Sequence, residues 1–270
     1  MIIARRDDGR QLLETSTLVA AQLPGAQLAY ASLADCDLSR ADLRAADLCQ
    51  ADLRGARFSD ANLTGADLTL SDTANADFAR CMLGDARLQA VGVRDKSLAR
   101  VNFAGADLTR ATLKHSNLSG SAFTNTVTHR ADLTRCNLRE ADFTGADLTG
   151  ADLSFANLSG ANLAFASLVG ATLTGATLDG AILTSADLSL ACLNGVSCAG
   201  AQFAGSLWSK TVLARARGLD HTLGLDTLCY GDQSSIDLWS LRSAAAHLPK
   251  GFLEHVGSPP NDGDRHLTNR

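Results

Sequence analysis

The sequence predicts an all-β solenoid: short extended pieces joined by a bend at every fifth residue. Three observations predict it. First, a five-residue unit recurs, as in CDLSR ADLRA ADLCQ ADLRG from Cys36 and ADFTG ADLTG ADLSF ANLSG from Ala141. With the large apolar residue taken as the centre of each unit, centres fall at Leu18, Leu23 and onward to Leu213. These are 40 positions, 35 of them Leu or Phe, with no insertion or deletion in the numbering. Second, the residue two before each centre is Ala in 26 of the 40 units; the others are small or β-branched except Lys96. A small and a large apolar residue at i and i+2 share one face only in extended chain. Third, the remaining positions are rich in Gly, Ser, Thr, Asn and Arg, and Gly, Ser and Asn in particular suit bends.

Repeats of A(D/N)LXX resemble those of the pentapeptide-repeat family, and the resemblance covers about residues 16–215. It implies a right-handed, four-sided parallel β-helix with four units per coil. Forty units then make about ten coils, a rod of roughly 50 Å at about 4.8 Å per layer. Phenylalanines give independent support for a 20-residue spacing. Phe58 and Phe78 form one such pair, and Phe103, Phe123, Phe143 and Phe203 fall in another column. Each coil would bury its Leu/Ala layer on its neighbours, leaving only the ends to be capped.

The ends read differently. Residues 1–15 suggest an irregular N-terminal cap and 16–215 the β-helix. Residues 216–257 suggest a C-terminal cap whose LWSLRSAAAHL stretch forms a helix stopped by Pro249. Residues 258–270 read as a disordered tail. Trp208, Leu238, Trp239, Leu241 and Leu248 are the candidates to cap the last coil or to pair two copies. The first ten residues lack an apolar core for a signal peptide, and no run of 18 apolar residues exists for a membrane span. The expected place is therefore the cytoplasm, with the seven cysteines as free thiols.

Catalytic motifs are absent from the sequence: there is no phosphate-binding loop, no HExxH and no GxSxG. The six histidines are not at ligand spacing, so neither metal nor cofactor is expected. Aspartates before the centres, such as Asp37, Asp42, Asp47 and Asp52, read as turn chemistry rather than a carboxylate cluster. Cys36, Cys81 and Cys136 read as small apolar filler, and Cys198 replaces a Leu at a centre. The pattern falters at Thr73, at Val93 with Lys96, and at Thr128. An unpaired inward ammonium is costly, so a local bulge that turns Lys96 outward is the simplest account; a recognition knob is the other.

Charge divides the rod. Residues 31–140 hold 14 Lys/Arg and 14 Asp/Glu, whereas 141–209 hold none of the former and five of the latter. At 20 residues per coil, Arg40, Arg80 and Arg100 share one outward column, and Arg54, Arg94 and Lys114 another. These cations, with Lys96, form either a solvated, ion-paired surface or a basic stripe. In the second half, Phe155 and Phe165 stand exposed among glycine corners. The expected function is a non-enzymatic scaffold that binds another protein, with a homodimer through the C-terminal region as one arrangement. The resemblance implies an alternative: a DNA-mimicking protein that binds DNA gyrase or a related type II topoisomerase, inhibiting it or protecting it from drugs. The net charge of −5 for the whole chain is modest for such mimicry, and no direct nucleic-acid binding is expected. A secreted bacterial effector is a further alternative.

Overall fold

A computed structural model describes residues 2–4, 9, 11–14, 17–88, 101–231, 234–236, 240 and 248–256. The unit Ala41-Asp42-Leu43-Arg44-Ala45 shows why the repeat takes this form. A buried backbone N–H must find an acceptor, and here all five do. Ala41 closes a turn onto the Leu38 carbonyl at 3.1 Å; Asp42 donates backward to Ala21 at 2.9 Å. Leu43 and Ala45 donate forward to Asn62 and Thr64, at 2.7 and 2.9 Å. The Arg44 N–H alone lacks a backbone acceptor, and the Asp42 carboxylate accepts it at 3.2 Å. The same bond recurs at Cys49–Asp47, Thr69–Asp67 and Ser154–Asp152. Asp or Asn before the centre is therefore the turn residue that completes the unit's hydrogen bonding. The fifth residue sits at positive φ, as in Ala45 (54°) and Gly65 (69°), the conformation a type II turn needs at its third residue.

The residue before each centre pairs in parallel with its counterpart 20 positions on, as in Gln22 with Asp42 and Asp132 with Asp152. The paired ladder runs from Gln22 to Leu223. Ala and Leu of each unit point inward and are almost entirely buried, in one continuous core.

One coil breaks the count. Asp77 pairs with Asn102, Met82 with Asp107 and Arg87 with Thr112, and the Asp77–Asn102 spacing is 25 residues. The expectation of an uninterrupted 20-residue winding is thus corrected: this coil carries one pentapeptide too many, between Leu88 and Val101. The five-residue register survives because the excess is itself five residues, which hides it from a count of centres. Val93, Arg94, Lys96 and Arg100 lie in this interval, outside the described residues.

The correction joins the two phenylalanine columns into one. Phe58, Phe78, Phe103, Phe123 and Phe143 stack with centroids 4.8, 5.4, 5.0 and 4.4 Å apart. Layer spacing imposes this near-parallel arrangement; free aromatic pairs favour offset or edge contacts.

Both ends differ from expectation in detail. The N-terminal segment is an antiparallel pair, β1 (Ile2–Ala4) with β2 (Gln11–Glu14). Ile3 is buried, and the Ser32 N–H donates to the Ala4 carbonyl. At the other end β3 (Leu207–Trp208) and β4 (Val212–Leu213) pair in parallel with β5 (Cys229–Tyr230) and β6 (Ser235–Ile236). The expected helix over LWSLRSAAAHL falls on a stretch of which only Ser240 and Leu248 are described, Ser240 being helical; α1 (Lys250–Val256) is a further helix that begins after Pro249. Proline is well placed just ahead of a helix start, where no N–H is needed. Trp208 is buried between Phe203 and Phe252 of α1, edge-on to both at 5.5 and 5.8 Å. With buried Leu248 it belongs to a cap made by the chain itself. Leu238, Trp239 and Leu241 lie outside the described residues.

Candidate interaction surfaces

The corner that carries Arg40 continues through Asp60 and Arg80 to Gly105; a Cβ on Gly105 would meet Arg80 Cγ at 3.5 Å. Arg100 is therefore not the next residue of that column. Arg80 grips Asp60 with both Nε and an Nη, at 2.7 and 2.8 Å. This hydrogen bond holds the Asp60 carboxyl below its usual range. The second column is corrected as well. Thr112 stands on Arg87, so Lys114 is one side away from the column of Arg54. Arg54 contacts Asp52 at 2.8 Å and Asp72 at 3.6 Å, and Lys114 contacts Asp132 at 2.7 Å.

Other pairs join adjacent layers: Arg57–Asp37, Arg87–Asp67 and Arg110–Asp85, at 2.6, 3.0 and 3.2 Å. Among the described residues, Arg44, Arg54, Arg57, Arg80, Arg87, Arg110 and Lys114 of this half stand beside aspartates. Exposed pairs of this kind contribute about 0–1 kcal/mol each.

The interior of the same half is more polar than elsewhere. Ser71 and Thr73 are buried, and their hydroxyls have no hydrogen-bond partner among the described residues. Thr128 and Thr126 are also buried, but their hydroxyls donate to the Asp147 and Phe123 carbonyls. Cys81 and Cys136 donate their S–H to carbonyls of the previous layer, Phe58 and Leu113. Burial pushes both thiols up to about 12, so neither forms a thiolate near neutrality. Among the described residues no group of His, Cys, Asp and Glu is arranged to hold a metal.

From Ala141 onward the surface is bare. Phe155 and Phe165 are 56% and 66% exposed, on different corners. Phe155 lies between a cation and a glycine: the Arg135 guanidinium is 5.4 Å from its ring centroid. On its other side the ring covers Gly175, where a Cβ would approach Phe155 Cδ1 to 2.7 Å. Beyond Gly175 an open hollow of ≈ 730 Å³ extends to Arg215 and Arg217. Neither arginine was singled out in the sequence, although the signal was there: Arg215 lies three whole coils after Phe155.

A solenoid whose interior is filled mainly by Ala, Leu and Phe leaves its chemistry on its sides. The family model described as "Pentapeptide repeats" matches in eight copies, over residues 21–60, 56–91, 97–127, 129–163 and 156–195. The chain belongs to the pentapeptide-repeat family, a non-catalytic scaffold fold.

No curated protein matches the chain. Solved structures similar to it include the following three. HetL, a pentapeptide repeat protein involved in heterocyst differentiation regulation in the cyanobacterium Nostoc sp. strain PCC 7120, is 28% identical. That match covers 79% of this chain and 91% of HetL, with a TM-score of 0.39. A pentapeptide repeat protein of the Arabidopsis thaliana thylakoid lumen is 35% identical over 35% of this chain and 66% of its own, with a TM-score of 0.34. QnrB1, a plasmid-mediated fluoroquinolone resistance protein, is 14% identical over 74% and 92% of the respective chains, with a TM-score of 0.35. At these TM-scores the likeness carries no argument beyond the shared repeat. Among the described residues no helix is long and apolar enough to cross a membrane.

Proposed function

We propose that this protein is a non-enzymatic rod of about ten right-handed coils that acts by binding another protein along its sides. The observation that carries the reading is where side-chain chemistry is spent. Ala and Leu fill the interior, Asp and Asn close turns, and what remains is a long surface with two distinct textures. If both textures serve binding, they serve different contacts. The test compares two variant sets in affinity capture followed by mass spectrometry: Arg44, Arg57 and Arg80 to Gln, and Phe155 and Phe165 to Ser. Loss of different partners, or of one partner by one set only, supports the reading. A rod that captures nothing specific in either form sinks it.

A narrower reading makes the partner DNA gyrase or a related type II topoisomerase, met through a DNA-like surface. Four carboxylates on one side favour it: Asp47, Asp67, Asp132 and Asp152 occupy a single ladder column. Arg87 and Lys114 neutralise the middle two, so the negative charge is concentrated at the column's ends. Purified gyrase decides the matter. The narrower reading expects salt-sensitive binding and altered supercoiling, weakened by Asp47→Asn with Asp152→Asn; absence of binding at low salt ends it while leaving the rod reading in place. The cytoplasm is the proposed location, and a homodimer would have to use surface other than buried Trp208.

A further inference from the structure

One side of the rod carries its ladder column through Val127, Asp147, Ser167, Asp187 and Leu207. Phe165 stands at one corner of this side and Leu190 at the other, in adjacent layers. They are 66% and 57% exposed. Each has a small residue at the opposite corner of its own layer. Opposite Phe165 is Gly170, where a Cβ would meet nothing within 4 Å; opposite Leu190 is Ser185. Val169 and Leu207, both half-buried, continue the apolar surface between the corners. Exposed apolar patches of this kind mark interaction sites.

Charges on this stretch are few and of both signs. Asp147 binds the His129 ring at 2.6 Å and accepts the Thr149 N–H at 3.0 Å. Asp187 accepts the Ser189 N–H at 2.9 Å. The Leu190 corner begins at Arg130 and ends at Lys210, and Lys210 already has a partner within the chain. Corner N–H groups are used as well: Phe165 donates to the Thr184 carbonyl, Gly170 to Ser189 and Leu190 to Ser209, at 3.0, 2.8 and 2.7 Å. Between its two ends this side therefore offers packing. A strongly charged partner gains nothing from it, whereas a second copy of the same surface loses little by covering it.

We propose that this side is the contact between two copies of the chain, packed face to face with their rods antiparallel. Closed pairs of identical chains use one patch on both copies, so the patch must complement itself. A two-fold axis between the layers of Ser167 and Asp187 meets that condition. It sets Phe165 on Ser185 of the second copy and Leu190 on Gly170 of the second copy, each contact made twice. The Ser167 hydroxyl, 3.0 Å from Thr149 Oγ1, comes opposite Asp187 of the second copy and has a proton to donate to it. A parallel pair would instead set each Asp187 and each Asp147 against its own counterpart, and such like-charge contacts select against that arrangement. Asp147 and His129 lie toward the rim, where interfaces stay polar and wet. Six layers at about 4.8 Å, one side wide, make a contact near the lower end of specific interfaces, so the pair forms at micromolar concentration rather than permanently. The inference rests on the rod reading above and names the partner of its smooth half.

The test is sedimentation velocity of the full chain across about two decades of concentration in the micromolar range. The 28.2 kDa monomer should give way to a species of twice that mass. Phe165→Ser with Leu190→Ser should raise the dissociation constant at least about tenfold. Gly170→Arg should weaken the pair comparably by filling the recess that receives Leu190. Arg130 holds this same corner two layers earlier at φ 52°, so the backbone accepts arginine there, and this second variant guards against a folding defect in the first. Phe155→Ser removes a comparably exposed ring from the diagonally opposite corner and should leave the pair unchanged. Three outcomes overturn the proposal: a monomer at every concentration, a dimer that both interface variants leave intact, or a dimer that Phe155→Ser weakens as much as they do. If the chain stays monomeric but affinity capture finds another protein, the rod reading stands and only this inference falls; if nothing is captured either, the rod reading itself has failed.

Discussion

The stretch from Leu18 to Glu140 and the stretch from Ala141 to Leu213 share one backbone and differ in almost everything attached to it. The first carries ion pairs between layers, such as Arg80–Asp60 and Arg57–Asp37, buried hydroxyls at Ser71 and Thr73, and the coil with five residues too many. The second has an interior mainly of Ala and Leu, glycine corners and no Lys or Arg until Lys210. The difference teaches that hydrogen bonding between coils, not surface charge, holds the architecture. The second half keeps a regular ladder without Lys or Arg, while the phenylalanine stack spans the layers on both sides of the irregular coil.

Substitutions can break or sharpen this contrast. The largest effect is expected in the phenylalanine stack that crosses the irregular coil. Phe103→Ala should cost about 3–5 kcal/mol in chemical denaturation and melt the first half before the second. The buried hydroxyls predict the opposite sign. Ser71→Ala and Thr73→Val remove groups that lack a partner, and each should raise stability by about 1–3 kcal/mol. A loss instead would mean that those hydroxyls are satisfied by residues between Leu88 and Val101, and that the irregular coil is built around them. Smaller still, Leu190 holds φ at 61°, and Leu190→Gly should stabilise the smooth half by about 1 kcal/mol, read as a shift in denaturation midpoint. At the bottom of the scale, Asp60→Asn should barely move the denaturation midpoint, with the difference vanishing at high salt.

Mild acid should act first at the end of the rod, before the pH reaches the range of the carboxylates along it. His255 of α1 accepts the Ser234 N–H at Nε2, at 3.3 Å, and stacks on Tyr230 with centroids 4.1 Å apart. Burial lowers its pKa, so the fold favours neutral imidazole. The unfolded chain then binds the proton more readily, and stability is full above the unfolded value of about 6.5. It falls as pH drops below that value toward the lower folded pKa. Trp208 fluorescence, which senses the Phe252 contact, should report a loosened cap across this window, and His255→Gln should flatten the response.

Much of the fold was legible in the sequence because one period fixes both the inward residues and the turns. Leu18 to Leu213 named the core almost residue by residue, and Asp42 or Asp47 announced a turn bond. The extra pentapeptide was not legible, since an excess of five leaves every centre in register. Its cost was confined to columns: Arg100 was placed above Arg80, Lys114 in the column of Arg54, and one phenylalanine stack was divided in two. The helix α1 after Pro249 was not legible, because the contact that selects it, Phe252 on Trp208, is tertiary. The hollow at Phe155 required the third dimension only in part: its glycines were noticed, its arginines were not.

The irregular coil is the hinge of this account, because every column assignment across the two halves passes through it. Paired cysteines test it directly. Ladder neighbours lie close enough for a disulfide, whereas residues on adjacent sides of a coil do not. Asp77→Cys with Asn102→Cys should cross-link under mild oxidation, as mapped by mass spectrometry of proteolytic fragments, and Met82→Cys with Asn102→Cys should not. A cross-link between positions 82 and 102, with none between 77 and 102, would restore the uniform 20-residue winding and contradict the structure described above.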